Sequence, residues 1–524
     1  MSSAMFAPFF SLRKAVKPYI SHPIFVFGVV SASQWLDNIN VSIVTSMVMQ
    51  IQQKYDVPYP VATWTFSAFS LCYASFIMIF GRIGDIVGHH YMYIGGMFFL
   101  GIFNIIAASV QNIYVVIVFR ALQGIAASAT IPSSYALVSN LFTGRASHIA
   151  ISVLTILMTT SFGLGSVLGG AFALTSIGYR GAFYLVGGIS LLVAFLGALC
   201  VEPASVKGES LKDLDHIGVV IMLSGSLLLV TGLTEGGDTW KSPSAYVPII
   251  FGVLLLFLFF AWELHIMRKL KRFDSVQLLI PMETWAIPNV VPNLLVNGIG
   301  YANIFSIMLL SVEVFEYVAL NSPVIAGLKG LTSAVGLFVA SILATLTFGK
   351  VPPKYVAIIA TTVYLASSIV ISRLGYSTES WWRYGLPGLA ISGLCQCFIT
   401  FFLFNSVIVS APLEIEGVVS GMGMTCVQLF IAISSAGTSS IVGDVELGMT
   451  PEIQKRIMVK YRHAFYFVIA ASALNVVLSL FIKDMGLGSL KEKREGKLMG
   501  SDTEDSSEME VEVSKHVSHS SDSV

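Results

Sequence analysis

Charged residues are scarce in this chain. Asp, Glu, Lys and Arg make up only 11% of its 524 residues, and 55% of the residues are hydrophobic. An average soluble domain has about 25% charged residues, so too little polar surface is present here to cover a globule in water. The 30 Lys and Arg residues balance the 30 Asp and Glu residues, which argues against a nucleic-acid partner. The composition therefore predicts a polytopic membrane protein.

Motifs for enzymatic chemistry and for bound cofactors are also missing. The five cysteines all lie inside apolar runs, without the spacing of a metal or redox site. The sequence contains no G-x-x-x-x-G-K-[ST] motif, so ATP hydrolysis is not expected to supply energy. No nucleophile motif and no metal-ligand cluster is present in it. We therefore expect no enzyme activity, no metal and no cofactor.

Fourteen apolar runs are each long enough to form a helix that crosses the hydrocarbon core, which takes about 20 residues. They cover residues 24–50, 62–80, 92–110, 113–138, 147–174, 181–201, 216–234, 245–266, 288–311, 324–348, 354–373, 384–411, 416–441 and 463–482. Lys and Arg are more numerous in the loops that share a side with the N-terminus. This bias predicts that both termini are cytoplasmic.

The order of these runs predicts an all-α fold of two six-helix bundles with two extra helices between them. Phe348-Gly349-Lys350 follows the tenth run much as Phe80-Gly81-Arg82 follows the second, and such repeats are common in membrane proteins built from paired halves. The predicted segments are a cytoplasmic N-terminal segment (1–23), a first bundle (24–201), the two inserted helices (202–272), a second bundle (273–483) and a disordered, acidic, Ser-rich cytoplasmic tail (484–524). Acidic residues near Ser501 and Ser506 suit phosphorylation by a kinase, and a solvated tail without a role is the alternative.

A short polar segment separates the second and third runs. It reads Gly81-Arg82-Ile83-Gly84-Asp85-Ile86-Val87-Gly88-His89-His90. Its three glycines permit the backbone geometry of a tight turn. Arg82 and Asp85 are three residues apart, so they can face each other on a helix or across a turn. The spacing alone fits either a plain loop or a functional ion pair.

This segment resembles the loop signature G-x-L-A-D-R-x-G-R-K of the major facilitator superfamily. Four other segments are similar to signatures of the same family: Trp35-Leu36-Asp37-Asn38-Ile39-Asn40-Val41, Arg120-Ala121-Leu122-Gln123-Gly124, Gly165-Ser166-Val167-Leu168-Gly169-Gly170 and Asn321-Ser322-Pro323-Val324-Ile325-Ala326-Gly327-Leu328. The resemblance covers about residues 24–483. It points to the fourteen-span drug:proton antiporter group, and within that group to fungal aminotriazole-resistance-like exporters.

The resemblance implies a secondary transporter that exports small toxic or drug-like solutes by alternating access, coupled to protons. The implied conformational motif consists of Gly81, Arg82, Asp85, Gly88, His89 and His90, and the implied antiporter-like motif of Gly165, Ser166, Gly169 and Gly170. In the family the loop aspartate contacts a neighbouring helix end, so Asp85 is expected to hold the cytoplasmic side shut. His89 and His90 replace the family's basic pair. Because histidine changes charge near neutral pH, we expect a contact that tightens in acid.

Two charged residues inside the apolar runs are candidates for proton coupling. Asp37 lies in the first run, where a carboxylate costs about 2.5–3.5 kcal/mol on insertion. It is predicted to take and release a proton, with Arg120 of the fourth run as its partner. The alternatives are an Asp37 that only shapes a water-filled vestibule and an Arg120 that binds carbonyl groups for packing.

Amide side chains indicate where a substrate could pass. Asn289, Asn293 and Asn297 recur every four residues, so they are expected to share one helix face and to line the substrate cavity. The other predicted cavity residues are Trp35, Asn38, Gln123, Gln396 and Asn405. The alternatives are interhelical hydrogen bonds for the amides and an interfacial anchor for Trp35.

The expected partners are a small-molecule substrate, protons and the lipid bilayer, with a monomer in the plasma membrane; the vacuolar membrane is the alternative. Two other functions remain open at this point. One is an uncoupled or uptake carrier for a small polar solute such as ammonium or borate. The other is a transceptor that signals through the acidic tail.

Overall fold

A computed structural model describes residues 22–57, 59–142, 144–202, 214–236, 240–266, 280, 282–348, 350–375, 377–411, 416–443 and 451–484. Within these ranges the regular structure is helical throughout, without strands. Apolar side chains on all sides favour this outcome, because a helix satisfies its own backbone hydrogen bonds inside a bilayer. The predicted tail phosphorylation at Ser501 and Ser506 lies outside the described residues and stays a prediction.

Fourteen long helices, α1 to α14, make up the described structure. They are α1 (Pro23–Thr45), α2 (Tyr59–Val87), α3 (His89–Ser109), α4 (Ile113–Leu141), α5 (Gly144–Ala173), α6 (Tyr179–Cys200), α7 (His216–Gly236), α8 (Pro243–Ala261), α9 (Val290–Glu313), α10 (Thr332–Thr347), α11 (Pro353–Ile371), α12 (Leu386–Ser410), α13 (Glu416–Val442) and α14 (Pro451–Ser479). Four short helices lie between the long ones. Val48–Tyr55 follows α1, Met282–Ala286 precedes α9, Pro323–Gly330 precedes α10, and Thr378–Ser380 precedes the π-helical turn before α12. Single π-helical turns occur at Trp262–Ile266, Val314–Val318 and Trp381–Gly385.

Most of these helices can cross a membrane. Among the described residues, twelve helical stretches are long and apolar enough to do so. The two remaining long helices are α1, with 23 residues, and α5, with 30. The predicted all-helical, multi-pass membrane architecture is confirmed.

The long helices pack as two groups, α1 to α6 and α9 to α14, and α7 and α8 form a separate pair. In the first group α2 packs on α4, α4 and α6 pack on α3, and α1 packs on α5. In the second group α12 packs on α10 and α11, α9 packs on α13, and α14 packs on α9 and α11. The groups meet where α2 contacts α13, and where α5 contacts α10 and the short helix Pro323–Gly330. Each half therefore contributes helices to two seams.

The inserted pair packs beside one of these seams. Helices α7 and α8 lie against each other, and α7 also contacts α2 and α13. Near the end of α7, the Trp64 indole on α2 donates a hydrogen bond to Glu235 at 3.2 Å. Just beyond α7, the Trp240 indole donates to the Ser440 hydroxyl on α13. The pair is thus attached to both halves.

The loop within the polar segment 81–90 is shorter than the sequence predicted. Helix α2 continues to Val87 and α3 begins at His89, so only Gly88 separates them. Gly88 has a φ of 112°, a backbone conformation that residues with a side chain rarely adopt. Most of the motif is therefore helical, with Arg82 and Asp85 one turn apart on α2 and His89 at the start of α3.

Candidate functional site

Asp37 is buried in the first half, on the side of α1 that faces α4. Its side chain is 1% exposed. The Thr130 hydroxyl on α4 is hydrogen-bonded to Asp37 Oδ2. Asp37 Oδ1 has no hydrogen-bond partner in the described part of the chain. Tyr73 on α2 and Tyr93 on α3 lie close enough to interact with Asp37 electrostatically. The carboxyl group thus sits among neutral polar side chains.

Arg120 on α4 is fully buried and makes four hydrogen bonds to neutral oxygens. Its Nε donates to the Thr65 carbonyl on α2 at 2.7 Å. Its Nη1 donates to Asn40 Oδ1 at 3.1 Å and to Gln123 Oε1 at 2.7 Å, and its Nη2 donates to the Asn40 carbonyl at 3.1 Å. The guanidinium carbon also lies 4.7 Å from the ring centre of Phe69. Arg120 therefore joins α1, α2 and α4 through one cation.

The expected pair between Asp37 and Arg120 is not formed. Arg120 and Thr130 are separated by ten residues of α4, which is about 15 Å along the helix axis. On α1, Asn40 faces Arg120, whereas Asp37 faces Thr130. Helices α1 and α4 do face each other, but their register places the Asn40 and Gln123 amides, rather than the Asp37 carboxylate, beside the guanidinium.

A ladder of small hydroxyl side chains extends the Asp37 contact along the same two helices. The Ser134 hydroxyl donates to the Thr130 carbonyl at 2.7 Å and meets the Ser33 hydroxyl at 2.8 Å. Sequence reasoning missed Thr130, Ser134 and Ser33. The available signal was a matched spacing, since Ser33 and Asp37 are four residues apart on α1, as are Thr130 and Ser134 on α4.

The glycines of the antiporter-like motif pack inside the first half. A Cβ atom on Gly165 would lie 3.0 Å from the Ile39 carbonyl oxygen of α1, and one on Gly169 would lie 2.2 Å from the Ile43 carbonyl oxygen of the same helix. Gly170 is buried on the same helix. The side of α5 that meets the second half carries Ser166 instead, where a Cβ atom on Gly327 would lie 3.2 Å from the Ser166 carbonyl. The motif therefore serves two different contacts, with the glycine face directed at α1.

The predicted asparagine face of α9 is only partly present. Asn289 precedes the helix in a left-handed conformation, with a φ of 60°. Its half-buried side chain makes two hydrogen bonds with the Lys483 backbone, at 2.8 and 3.0 Å. Because the helix begins at Val290, Asn289 does not continue the face of Asn293 and Asn297, and its assignment to the cavity is wrong.

Asn293 and Asn297 are buried against α12. The Asn293 amide donates to the Ser406 hydroxyl at 3.1 Å, and Asn297 accepts from the Thr400 hydroxyl at 2.9 Å. Asn293 Oδ1 has no partner among the described residues. Both amides thus make interhelical hydrogen bonds, which was the alternative to a cavity lining.

The remaining predicted cavity residues do not form one cluster. Gln396 and Thr400 are hydrogen-bonded at 3.0 Å on α12, and Asn405 donates to the Phe401 carbonyl of its own helix at 2.8 Å. On α1, Asn38 donates to the Gln34 carbonyl, while Trp35 is 40% exposed. The side chain of Gln123 also donates to the Phe103 carbonyl at 3.1 Å. Gln123 thus belongs to the Arg120 network.

Asp85 contacts two other residues of its own motif. His89 Nε2 lies 2.9 Å from Asp85 Oδ1, and Arg82 Nη1 lies 3.8 Å from Asp85 Oδ2. A Cβ atom on Gly84 would meet the His89 ring at 2.5 Å, so this glycine allows the ring to approach Asp85. His90 is buried beside Tyr91. Because His89 is the first residue of α3, the Asp85–His89 contact joins the end of α2 to the start of α3, and the expectation that Asp85 holds the cytoplasmic side shut stays a prediction.

Metal chemistry has no visible support. In the described ranges, no three His, Cys, Asp or Glu side chains converge in a way that could hold a metal ion. Asp37 and Arg120 are two of the buried charged residues, and the hydrogen-bond partners that the structure shows for them are neutral.

Comparisons with known proteins identify relatives along most of the chain. The family model of the Major Facilitator Superfamily matches residues 29–435. The MFS-type transporter FPY5 of Fusarium mangiferae is 27% identical over 340 residues, which is 60% of this chain and 54% of that protein. The multidrug transporter mfsC of Aspergillus fumigatus is 30% identical over 227 residues, or 43% of each chain. The matches span about half the length of these fungal relatives.

A bacterial relative and a solved structure match over greater lengths. The puromycin resistance protein pur8 of Streptomyces alboniger is 21% identical over 467 residues, covering 87% of this chain and 90% of that protein. The crystal structure of a bacterial homologue of the human lysosomal transporter Spinster superposes with a TM-score of 0.56 at 11% identity. It covers 90% of this chain and 98% of that one, and it shows a shared fold.

Proposed function

Because this chain belongs to the Major Facilitator Superfamily, as its motifs predicted, we propose that it exports small toxic or drug-like solutes in exchange for protons. Members of this family are secondary transporters. Export of toxic solutes is supported by the relatives, which include a multidrug transporter and a puromycin resistance protein. The observation that supports proton coupling is the burial of the Asp37 carboxyl group, which has no cationic partner in the part of the chain that the structure describes.

The surroundings of Asp37 support a proton-binding role. A buried carboxylate that lacks a cation is strongly disfavoured, whereas a neutral carboxyl group needs only hydrogen-bond partners. Thr130 supplies such a partner, and Arg120 is bound elsewhere. Asp37 should therefore hold a proton while it is buried and release it when the halves rearrange and water enters. Arg120, in this proposal, keeps α1, α2 and α4 together while that change occurs.

The arrangement of the halves supports alternating access. Helices from each half meet at two seams, α2 with α13 and α5 with α10. Small residues let the backbones approach there, since a Cβ atom on Gly327 would lie 3.1 Å from the Val167 nitrogen. Such close contacts between small residues can separate and re-form as rigid bundles rock. The plasma membrane and the monomeric state stay predictions from the sequence.

The proposal is tested in two stages. Cells that express the protein are first screened for reduced accumulation of a panel of toxic organic solutes, including puromycin. The purified protein is then reconstituted in vesicles with an imposed pH gradient. We expect Asp37→Asn to lose gradient-driven accumulation of the hit while retaining solute exchange, because asparagine mimics the neutral carboxyl group. Glu283→Gln, an exposed carboxylate on the short helix before α9, is the matched control.

One outcome would contradict proton coupling and favour the uncoupled or uptake carrier. Transport that survives collapse of the proton gradient in the native protein, together with an unaffected Asp37→Asn variant, would show that Asp37 carries no coupled proton. Accumulation that increases when the protein is expressed would reverse the proposed direction.

A further inference from the structure

The Thr130 hydroxyl has two close oxygen neighbours and only one hydrogen. Thr130 Oγ1 contacts Asp37 Oδ2 across the interface between α1 and α4. It also lies 2.7 Å from the Ala127 carbonyl oxygen of its own helix. A hydroxyl group donates one hydrogen bond and accepts up to two. Whether both contacts are hydrogen bonds therefore depends on the proton of Asp37.

An ionised Asp37 leaves one of these contacts unsatisfied. A carboxylate only accepts, as does a carbonyl. If the Thr130 hydrogen points at Asp37, no hydrogen remains between Thr130 Oγ1 and the Ala127 carbonyl. If it points at Ala127, two oxygens with negative partial or full charge face each other at Asp37.

A protonated Asp37 satisfies both contacts at once. The carboxyl O–H donates to Thr130 Oγ1, and the Thr130 O–H donates to the Ala127 carbonyl. Asp37 Oδ1 independently favours this state, because it is buried and has no partner among the described residues. An ionised carboxylate with one hydrogen bond would leave much of its charge uncompensated. The arrangement is that of the proton-loaded carboxyl group.

We propose that Thr130 is the positioning residue that transmits the protonation state of Asp37 to α4; this rests on the proposed function of Asp37 as the coupled proton carrier. When the proton passes from Asp37 to water, the Thr130 hydrogen must turn from the Ala127 carbonyl to the carboxylate. This rotation of the Thr130 hydroxyl replaces its hydrogen bond to the Ala127 carbonyl within α4 by a hydrogen bond to Asp37 on α1.

Helix α4 is locally suited to respond. Pro132 has no backbone N–H, so the Ser128 carbonyl cannot receive its usual helical hydrogen bond. The segment from Ala127 to Pro132 therefore starts with one hydrogen bond fewer than a regular helix. Ser134, which donates to the Thr130 carbonyl at 2.7 Å and meets Ser33 of α1 at 2.8 Å, connects the same turn back to α1.

Few other titratable groups act on Asp37. Tyr73 of α2 and Tyr93 of α3 interact with it electrostatically, and the Tyr93 hydroxyl donates to the Val29 carbonyl at 2.6 Å. Arg120 of α4 is bound to Asn40 and Gln123. Among the described side chains of α5 and α6, no titratable group interacts with Asp37.

The test compares Thr130→Val, which keeps the shape and removes the hydroxyl, with Thr130→Ser, which keeps the hydroxyl. The first readout is the midpoint of the pH profile of transport in vesicles. Thr130→Val should raise it by about one pH unit, because the ionised carboxyl group loses a stronger hydrogen bond than the neutral one. The second readout is the infrared band of the protonated carboxyl group that Asp37→Asn abolishes. Thr130→Val should shift this band, and Thr130→Ser should leave both readouts as in the native protein.

Two results would overturn the proposal. One is a Thr130→Val protein with the native pH midpoint and the native infrared band. The other is a Thr130→Ser protein that changes as much as Thr130→Val, which would indicate a packing effect. If Thr130→Val does not accumulate, Thr130→Ala is measured in the same way. Failure of proton coupling itself is recognised separately, by gradient-driven transport that persists in Asp37→Asn.

Discussion

Replacement of Arg120 by lysine tests whether this cation is structural or takes part in proton transfer. The guanidinium serves four acceptor contacts from three nitrogens, reaching α1, α2 and α4 at once. A lysine ammonium is a single point with three donors. It cannot reach the Thr65 carbonyl, the Asn40 side chain and Gln123 with good geometry at the same time.

The expected loss follows from these contacts. Hydrogen bonds to a charged group contribute about 1.5–3 kcal/mol each. Loss of two of the four therefore costs about 3 kcal/mol or more, within the range of about 3–5 kcal/mol for disruption of a buried charge and its partner. The stacking of the planar guanidinium on Phe69, with 4.7 Å from the guanidinium carbon to the ring centre, is lost in addition.

The assay is thermal unfolding of the purified protein in lipid discs, followed by the pH profile of transport. We expect Arg120→Lys to lower the Tm by about 5 °C or more. The midpoint of the pH profile should stay unchanged, because Arg120 does not contact Asp37. Arg373→Lys, at an exposed arginine after α11, is the matched control and should keep the native Tm. A native Tm in Arg120→Lys, or a shifted pH midpoint without loss of stability, would refute the structural assignment.

Two further predictions concern close packing and the cytoplasmic motif. Gly124→Ala places a Cβ atom 2.3 Å from the Phe69 carbonyl oxygen, so we expect the free energy of unfolding to fall by about 1–3 kcal/mol, measured by thermal unfolding. Gly188→Ala is the control and should keep native stability, because no atom lies within 4 Å of the added Cβ. Equal effects of the two substitutions would contradict the close contact of α2 and α4. His89→Lys keeps a positive charge beside Asp85, 2.9 Å from the histidine in the native protein, at every pH from about 5 to 8. A protonated histidine adds the attraction of opposite charges to the hydrogen bond that a neutral imidazole N–H can already donate to Asp85, so the native contact should tighten in acid. Labelling of an engineered cytoplasmic cysteine should therefore depend less on pH in the variant, and an unchanged pH profile would contradict this role.

The fold was predictable from the sequence because its cause is local. A run of about 20 apolar residues can satisfy its backbone in a bilayer only as a helix, so run length and count determine the number of spans. The segment after α1 shows the limit of this reasoning. The apolar run predicted one helix over residues 24–50, but helix α1 ends at Thr45 and Val48–Tyr55 forms a separate short helix. Helix ends depend on capping and packing partners, which the apolar pattern does not contain.

The site was predictable in its residues and less so in its pairings. Buried Asp37 and Arg120 stand out in any apolar run, but their partners depend on the axial register of α1 against α4. A shift of one helical turn, about 5.4 Å, would change which side chains meet. The asparagine face failed for a similar reason. Its period of four residues is correct within α9, but Asn289 precedes the first residue of that helix and binds Lys483 instead.

The separation of the two buried charges constrains the mechanism more than either charge does alone. A direct Asp37–Arg120 pair would stabilise the ionised carboxylate in the buried state and so oppose proton uptake. With Arg120 satisfied by the Asn40 and Gln123 oxygens, the guanidinium supplies no such stabilisation at Asp37. Among the described residues no cationic side chain is bound to Asp37, so loss of its proton must be accompanied by water, a cationic solute or a rearrangement of α4. This requirement is what would couple the movement of a proton to the movement of the halves.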